Sequence, residues 1–380
     1  MKVSGKWLDR TATQAVCRML TEAGHQALFV GGCVRNALLG VEVADIDIAT
    51  DALPETVVEL AEKAGLKPVP TGIDHGTITV VSGGLPHEVT TFRKDVETFG
   101  RHATVAYSLD VTEDARRRDF TMNALYARPD GRVIDPLGGL DDLRARRVRF
   151  IENPHDRIRE DYLRILRFFR FHAWYGQGGL DPDGLAACAE LADGVENLSR
   201  ERLGAEMLKL LSAPDPAPAV AAMRASGVLG RVLPGADDRL LAPLVHLEDS
   251  IGAAPDPIRR LAALGGEGAA ERLRLSKAQA RRLTRLGDGM ASAAPAAELG
   301  YRDGAEAGRD IVLLRAALAG QPVVQAALDD LALGAGARFP VMAADLMPEW
   351  QGPALGRRLD ELERQWIASR FALGRDELLQ

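Results

Sequence analysis

The fold is decided by the stretch over residues 27–50, which reads ALFVGGCVRNALLGVEVADIDIAT. Its first four residues are apolar and predict a short strand, and Gly31-Gly32 after them predicts a tight turn into a helix. Backbone N–H groups at the start of such a helix can bind an anion such as a triphosphate. A dinucleotide-binding turn would need the third glycine of the pattern G-x-G-x-x-G, which is missing here.

The same stretch ends in a second predicted strand that carries Asp45 and Asp47. Because side chains alternate along a strand, we expect both carboxylates on one face, with Ile46 and Ile48 in the core. Paired carboxylates repel each other unless a cation lies between them, and hard oxygen ligands suit Mg²⁺ that also contacts substrate phosphates. A lone Asp-x-Asp is often a solvated face, but together with a phosphate-binding turn it indicates nucleotidyl transfer.

The composition is that of a globular protein of 380 residues, long enough for two or three domains. Three widely spaced cysteines without a Cys-x-x-Cys pair argue against a disulfide framework or zinc site and predict a cytoplasmic location. We expect neither a secretion signal nor a membrane span. The net charge is −7, yet residues 144–170 hold nine arginines against four acids, which predicts a confined site for a polyanion.

Hydrophobic periodicity predicts that residues 1–140 mix strands and helices and that the chain is helical from about residue 141. On the strand predicted over 87–92, Glu88 is placed to join the two aspartates across the sheet. The other predicted elements are helices over about 9–23 and from Pro54 to near Gly65, a strand over 78–81, an irregular loop over 93–110, a helix capped by Thr112, a turn at 129–131 between two short strands, and helices over 156–173 and 199–212.

A second unusual cluster is Arg117-Arg118-Asp119. Two arginines can hold phosphates, and a neighbouring carboxylate can accept a hydrogen bond from a ribose hydroxyl. Taken alone on a helix, the same three residues are more often a solvated face with ion pairs.

A third cluster lies in the helix predicted over 156–173. Glu160 and Arg164 are four residues apart and Asp161 and Arg164 three, so all three are expected on one face. The Asp161 carboxylate can accept from the exocyclic amine of cytosine or adenine while Arg164 donates to the ring nitrogen, with Glu160 holding Arg164 in place. Uracil and guanine present the opposite pattern and would be rejected. The alternative is an exposed ladder of ion pairs.

In this order and spacing the clusters resemble the class II bacterial tRNA nucleotidyltransferase (CCA-adding enzyme) and poly(A) polymerase family, over roughly residues 25–210. The family usually has Asp where this chain has Asn36, so an ion pair is not expected there. The matching motifs are Gly31-Gly32-x-Val34-Arg35, Asp45-x-Asp47, Arg117-Arg118-Asp119-Phe120-Thr121-x-Asn123-Ala124, Asp135-Pro136 with Gly138-Gly139 and Asp142-Leu143, Glu160-Asp161-x-x-Arg164-Ile165-Leu166-Arg167, and Ser199-x-Glu201-Arg202 with Glu206.

The resemblance implies an α+β fold, with a polymerase-β-like nucleotidyltransferase head of mixed sheet and helices followed by an all-helical neck, body and tail. It implies a catalytic head over 1–140, a base-reading neck over 141–212 and a tRNA-binding body and tail over 213–380. The segment 135–143 would be the hinge between head and neck. The implied partners are CTP, ATP and the 3′ end of tRNA with its acceptor and TψC region, but neither DNA nor a membrane.

The resemblance also implies roles for individual residues. Asp45 and Asp47 would bind two Mg²⁺ as the cofactor for two-metal nucleotidyl transfer, and Glu88 would be the third catalytic carboxylate. Arg167 would support the base pocket. The residues implied in nucleotide binding are Gly31, Gly32, Arg35, Arg118, Asp119, Asn123, Glu160, Asp161, Arg164 and Arg167.

The implied reaction is the untemplated addition of C, C and A to tRNA, with pyrophosphate released. Poly(A) polymerases tend to carry a long basic tail, which is not seen here, and C-only enzymes tend to have a shorter loop than residues 93–110. In that loop Arg93, Asp95, Arg101 and His102 stand in family-like places. An A-adding enzyme stays open, because its base-reading motif is the same. The remaining alternative is a catalytically inactive RNA-binding module, against which the intact carboxylates argue.

Overall fold

The computed structural model describes residues 1–73, 76–99 and 102–380. Every strand in this described part of the chain lies before residue 135, which confirms the predicted change to helices. The strands are β1 (Leu28–Val30), β2 (Asp47–Thr50), β3 (Lys67–Gly72), β4 (Thr77–Ser82), β5 (Leu85–Thr91), β6 (Arg93–Phe99), β7 (His102–Tyr107), β8 (Tyr126–Ala127) and β9 (Val133–Ile134).

The α-helices follow the predicted distribution. Those among the strands are α1 (Lys6–Asp9), α2 (Thr11–Glu22), α3 (Gly32–Leu39), α4 (Pro54–Lys63), α5 (Val111–Arg116) and α6 (Gly139–Arg144). Those that follow are α7 (Pro154–Glu160), α8 (Leu163–Tyr175), α9 (Pro182–Glu190), α10 (Arg200–Leu211), α11 (Ala217–Ala225), α12 (Val228–Val232), α13 (Leu241–Ser250), α14 (Pro257–Leu264), α15 (Ala269–Arg272), α16 (Lys277–Ala291), α17 (Ala296–Ala319), α18 (Gln325–Gly336), α19 (Ala343–Leu346), α20 (Gly352–Ala368) and α21 (Arg375–Leu378).

Seven strands form one mixed sheet in the order β3-β4-β5-β2-β1-β8-β9. Within it β2 and β5 are parallel, whereas the other neighbouring strands are antiparallel. The register of the parallel pair sets Asp47 beside Glu88. Between these two residues the chain passes through α4, β3 and β4, out to one edge of the sheet and back. The sheet therefore brings together two carboxylates that are 41 positions apart in the sequence.

The strand predicted to carry both aspartates begins later than predicted. Its ladder starts at Asp47, so Asp45 lies in the preceding segment, which has no regular secondary structure. The predicted alternation still holds, because Ile46 and Ile48 are buried while Asp45 is exposed. The backbone N–H of Glu88 donates to the Ile46 carbonyl at 3.2 Å, which aligns the start of this strand with β5.

The prediction of an irregular loop over 93–110 is wrong. Strands β6 and β7 pair antiparallel as a separate two-stranded sheet, with Arg93 opposite Tyr107. Pairing of this kind rests on backbone hydrogen bonds, and the polar composition gave no period-two apolar signal that could reveal it. Arg101 lies outside the described residues, and so do the side chains of Asp95 and His102.

Two helix starts in the first part of the chain also differ from prediction. The helix expected over about 9–23 is α2, which begins at Thr11, and Arg10 separates it from the short helix α1. Helix α5 is capped by Asp110, not by Thr112: the Asp110 carboxylate accepts from the backbone N–H of Thr112 at 2.8 Å. Asp and Thr are both good N-cap residues, but only Asp110 directly precedes the first helical residue, and its side chain therefore makes the capping hydrogen bond.

The single helix expected around the third cluster is in fact two helices. Asp161 has extended backbone (φ −154°, ψ 106°) between α7 and α8, and its carboxylate accepts from the N–H of Leu163 at 3.0 Å. The carbonyl of Arg157, which loses its helical partner at this break, accepts from the Arg164 guanidinium at 2.7 Å. The apolar spacing runs on across the break, which is why the sequence predicted one helix.

The chain divides into two compact units, one of residues 1–202 with 222–232 and the other of residues 203–221 with 233–380. In the first unit an aromatic cluster packs α8 against the segments that precede it. The ring of Phe120 lies 5.0 Å from that of Phe150 and 4.9 Å from that of Phe171.

The second unit contains a buried network of charged side chains. Arg259 donates to Glu248 at 2.8 Å and to Asp310 at 2.7 Å, and Arg260 donates to the other oxygen of Glu248 at 2.9 Å. Arg282 donates to Asp310 at 2.6 Å. Buried charges are tolerated when they are paired in this way, and removal of one partner is strongly destabilising. In the described part of the chain, no helix has both the length and the hydropathy that a bilayer span requires.

Candidate active site

The phosphate-binding turn predicted from the sequence lies between β1 and α3. Gly31 has φ 68° and ψ −119°, a left-handed conformation that glycine adopts without strain. A Cβ atom there would lie 3.5 Å from Nη1 of Arg118 and 3.6 Å from the carbonyl oxygen of Asn123. The first N–H groups of α3 have no partners within the helix, so this end of α3 suits an anion.

The carboxylates of Asp47 and Glu88 lie side by side on β2 and β5, and Asp45 is close enough to act on Asp47 electrostatically. Burial, the charge of Glu88 and then that of Asp45 raise the pKa of Asp47 to about 6, against a lowering by Arg118. Among the described residues, no three His, Cys, Asp or Glu side chains gather closely enough to hold a metal ion by themselves. Oxygen donors of this kind nevertheless fit Mg²⁺, which takes one or two carboxylates and completes its coordination with phosphates and water.

Arg118 and Asp119 follow α5 and do not lie on a helix. Arg118 donates to Asp114 at 3.0 Å, and the buried carboxylate of Asp119 accepts from Nε of Arg167 at 2.7 Å and from Nδ2 of Asn123 at 3.1 Å. Burial alone would raise the pKa of Asp119, but the charge of Arg167 and these hydrogen bonds outweigh it and lower the pKa. Asp119 is therefore an ionised anchor for Arg167 at neutral pH.

Glu160, Asp161 and Arg164, which were predicted to read the base, do not share one helix face, because the chain breaks at Asp161. Glu160 accepts from Arg164 at 2.5 Å and from Arg157 at 2.6 Å, so it holds Arg164 as predicted. The carboxylate of Asp161 is instead paired with Arg202 at 2.6 Å. Asp161 and Arg164 line one cavity, whereas Glu160 lines a neighbouring one.

The cavity that contains Asp161 and Arg164 has a volume of about 280 Å³. Four arginines and two aspartates line it, so its walls are positively charged overall and suit an anionic ligand. Arg118 belongs to this lining, lies next to Gly31 and acts on the charge of Asp47. The lining residues are Arg118, Asp119, Asn123, Asp161, Leu163, Arg164, Arg167 and Arg202.

Arg35 is buried at the back of this region. It donates from Nη1 to the amide oxygen of Asn123 at 2.7 Å and from Nη2 to the hydroxyl of Tyr175 at 2.8 Å. Its Nε and Nη2 also donate to the amide oxygen of Asn36, at 3.2 and 3.0 Å. The Asn36 side chain thus accepts hydrogen bonds from Arg35, as an aspartate would, but it carries no negative charge.

Two residues that contact the site were given no role by the sequence reasoning. Arg202 stands in a family motif, but nothing local indicated that it pairs with Asp161, 41 positions earlier. Tyr175 is the last residue of α8. Its position could have been predicted from the sequence, because spacings of three and four residues put it on the same helix face as Arg164, Arg167 and Phe171.

Comparison with known proteins places these features in one family. Residues 27–149 match the family described as "Poly A polymerase head domain", and residues 179–240 match "Probable RNA and SrmB- binding site of polymerase A". A CCA-adding enzyme of Lacticaseibacillus paracasei is 40% identical over 209 residues, which are 54% of this chain and 51% of that protein. Over these segments the chain is similar to the tRNA nucleotidyltransferase and poly(A) polymerase family.

A human protein and a solved bacterial structure are also similar to this chain. The human mitochondrial CCA tRNA nucleotidyltransferase 1 is 41% identical over 204 residues, 52% of this chain and 46% of that protein. The chain thus spans about half the length of the curated relatives it matches. A Bacillus stearothermophilus CCA-adding enzyme in complex with CTP has a TM-score of 0.72 at 28% identity, with 95% of this chain and 94% of that chain covered.

A Thermotoga maritima CCA-adding enzyme complexed with tRNA has the same TM-score of 0.72 at 18% identity and covers all of this chain and 97% of that one, a likeness of fold alone. The α+β fold with a polymerase-β-like head is therefore that of the family. Similarity to a nucleotidyltransferase family implies, in general, dependence on a divalent metal ion.

Proposed function

We propose that this protein adds C, C and A to the 3′ end of tRNA from CTP and ATP, without a nucleic-acid template and with release of pyrophosphate. The observation that carries the proposal is the position of Arg118. It lines the cavity with Asp161 and Arg164, lies beside the Gly31 turn and acts on the charge of Asp47. A base pocket, a phosphate site and a carboxylate pair are thus joined through one side chain.

In this proposal the chain's own residues mainly position the reactants and neutralise charge. The N–H groups at the start of α3 hold the triphosphate, and Arg118 offsets its negative charge. Asp45 and Asp47 hold Mg²⁺, with Glu88 as the third carboxylate. Two metal ions held by these carboxylates would supply a lowered pKa for the attacking 3′-hydroxyl and neutralisation of charge on the leaving oxygens.

Base selection falls to Asp161 and Arg164, which face the same cavity. Each oxygen of the Asp161 carboxylate already accepts one hydrogen bond, from Leu163 or Arg202, and a carboxylate oxygen has room for another. The exocyclic amine of cytosine or adenine can therefore be accepted there while Arg164 donates to the ring nitrogen. Uracil and guanine would place an acceptor against the carboxylate, which is unfavourable.

The names of the relatives favour CCA addition over poly(A) synthesis, since relatives that are 40 and 41% identical to this chain are named for CCA addition. We further propose that residues 1–140 act as catalytic head, 141–212 as base-reading neck and 213–380 as the body and tail that hold the acceptor and TψC region of tRNA. The three cysteines are free and buried, and we place the reaction in the reducing cytoplasm.

The test is incorporation into a tRNA that lacks its 3′ CCA, with Mg²⁺ and CTP alone, ATP alone, or both. Two residues added with CTP and one more when ATP joins would support the proposal. A lengthening A ladder would indicate a poly(A) polymerase. Addition only to tRNA that already ends in CC would indicate an A-adding enzyme, and arrest after two C residues with both nucleotides a C-adding one.

A further inference from the structure

A closed series of contacts joins the base-reading helix to the phosphate-binding turn. Starting on α8, Arg167 donates to Asp119, Asp119 accepts from the amide of Asn123, and the amide oxygen of Asn123 accepts from Arg35. Arg35 then donates to the hydroxyl of Tyr175, which returns to α8. We name these five residues the Arg35 circuit. Its two ends on α8 are eight residues, or about 12 Å, apart.

The ring of Phe171 contacts two members of the circuit, Arg35 and Arg167. The guanidinium carbon of Arg35 lies 5.1 Å from the centre of this ring, and that of Arg167 lies 5.2 Å from it. Arg35 also stacks on the ring of Tyr175 at 4.0 Å, so Tyr175 holds it by both a hydrogen bond and a cation–π contact. Few side-chain positions are open to Arg35 under these constraints.

The circuit reaches the phosphate-binding turn at two points. Arg35 is on the first turn of α3, three positions after Gly32, and its backbone N–H donates to the Gly31 carbonyl at 2.9 Å. Asn123 lies against the turn, with its side-chain oxygen 3.6 Å from where a Cβ of Gly31 would be. A movement of Arg35 therefore changes the position of the turn relative to α8.

We propose that Tyr175 is a positioning residue for nucleotide selection, which acts through Arg35 to hold the Gly31 turn in register with α8. All three nitrogens of Arg35 donate to protein acceptors, so in this arrangement Arg35 orients the site instead of serving as an open ligand for the triphosphate. The proposal rests on the proposed function, because a fixed distance between phosphate and base matters only if one nucleotide spans both sites.

The consequence concerns fidelity. When the triphosphate is held at the turn, the base edge meets Asp161 and Arg164 only if α8 stays at a fixed distance. Loosening of the circuit lets the base shift, so an incorrect base can avoid the unfavourable contact with Asp161. Selectivity should therefore fall more than nucleotide affinity.

The test compares wild type with Tyr175→Phe, which removes the hydroxyl and keeps the ring. The readout is the ratio of kcat/KM for CTP to that for UTP on tRNA lacking CCA, which does not depend on the fraction of protein that is folded. We expect this ratio to fall roughly tenfold, with the KM for CTP changed by less than about threefold. In an Arg35→Lys background, the same substitution should cause no further change, because Tyr175 would act only through the guanidinium.

The matched control is Tyr301→Phe in the second unit, which removes a hydroxyl that donates to Glu363 at 2.7 Å. We expect it to leave the CTP/UTP ratio unchanged. An unchanged CTP/UTP ratio in Tyr175→Phe, or full additivity of its effect with that of Arg35→Lys, would overturn the positioning role of Tyr175. Neither result would contradict CCA addition by the wild type.

If the wild type adds nothing to tRNA, the proposed function fails by itself. The circuit is then judged by equilibrium binding of CTP and UTP to the chain alone, with the same variants and the same expected loss of preference. A chain that binds neither nucleotide would overturn both proposals.

Discussion

Arg202 donates a hydrogen bond to Oδ2 of Asp161 at 2.6 Å, while Oδ1 of the same carboxylate accepts from the backbone N–H of Leu163 at 3.0 Å. The two bonds fix the plane of the carboxylate at the cavity wall. Asp161 sits outside regular helix, so its own backbone gives it less support than a helical residue would have. The ion pair with Arg202 therefore holds the Asp161 carboxylate in its orientation.

Substitution of Arg202 tests this support directly. We expect Arg202→Gln to lower kcat/KM for CTP and ATP by about tenfold, which is the effect of one lost charge-assisted hydrogen bond at a partly exposed site. Incorporation of each nucleotide into a tRNA lacking CCA measures it. Arg231→Gln is a fitting comparison, because Arg231 also pairs with an aspartate, Asp193, but lies outside the cavity lining. Equal losses in the two variants would argue against a specific role for Arg202.

Removal of the acceptor itself should have a larger effect. We expect Asp161→Ala to reduce the preference for CTP over UTP by on the order of 100-fold, because the contact that penalises uracil is lost. Competition between labelled CTP and UTP in one reaction gives the ratio. Retention of the wild-type preference would show that base selection lies elsewhere.

Asp47→Asn should abolish nucleotide transfer and leave tRNA binding intact. The substitution keeps the size of the side chain and removes a charge that the proposed Mg²⁺ needs. Transfer and filter binding of tRNA are measured side by side, with Glu59→Gln as control, since Glu59 is an exposed carboxylate on α4. Transfer at the wild-type rate by Asp47→Asn would refute the proposed metal site.

Close backbone packing at Gly139 predicts a large loss of stability on substitution. A Cβ atom there would lie 2.1 Å from the carbonyl oxygen of Thr121, which is backbone and cannot turn away. We expect Gly139→Ala to lower the free energy of unfolding by about 2–4 kcal/mol. In contrast, Gly230→Ala on α12 meets nothing within 4 Å and should be neutral or slightly stabilising. Urea denaturation of the two variants measures the difference.

The carboxylate of Asp142 should make stability depend on acid pH. It accepts from Thr121 at 2.6 Å and from Arg147 and Arg149 at 2.8 Å each. Burial would raise the pKa of Asp142, but these hydrogen bonds and the charge of Arg149 lower it below its ordinary value of 3.8.

Because the folded state has the lower pKa, the contribution of Asp142 is fully present above pH 3.8 and is lost as the pH falls through the folded value. We expect Asp142→Asn to cost about 1–2 kcal/mol at pH 7, a modest figure because both arginines are half-exposed. Unfolding curves of wild type and variant should converge below pH 3.8. A difference that is constant down to pH 2 would contradict this account.

Local patterns in the sequence were sufficient for most elements of the fold. The apolar run before Gly31 is β1, Pro54 begins α4, and the turn at 82–84 separates β4 from β5. Each of these signals acts within a few residues, through backbone freedom or side-chain alternation. The same reasoning placed Glu88 where it could join the two aspartates across the sheet, and the parallel register of β2 and β5 sets it beside Asp47.

Features that depend on distant partners could not be predicted. The break at Asp161 is stabilised by the Arg164 guanidinium, which satisfies the carbonyl of Arg157 and also donates to that of Arg117. No local signal indicates this, since Ile158 and Ile165 keep helical spacing across the break. The bond from Arg35 to Tyr175 spans 140 positions and likewise depends on the assembled fold.

The route of the chain between Asp47 and Glu88 has a consequence for evolutionary change. The intervening residues run to the outermost strand of the sheet and return, so the two carboxylates owe their closeness to one parallel pair of strands and not to the length of the excursion. A change in the length of β3 or β4 would leave the residue pairing between β2 and β5 unchanged. The spacing of the two carboxylates should therefore tolerate changes in the length of the chain that connects them.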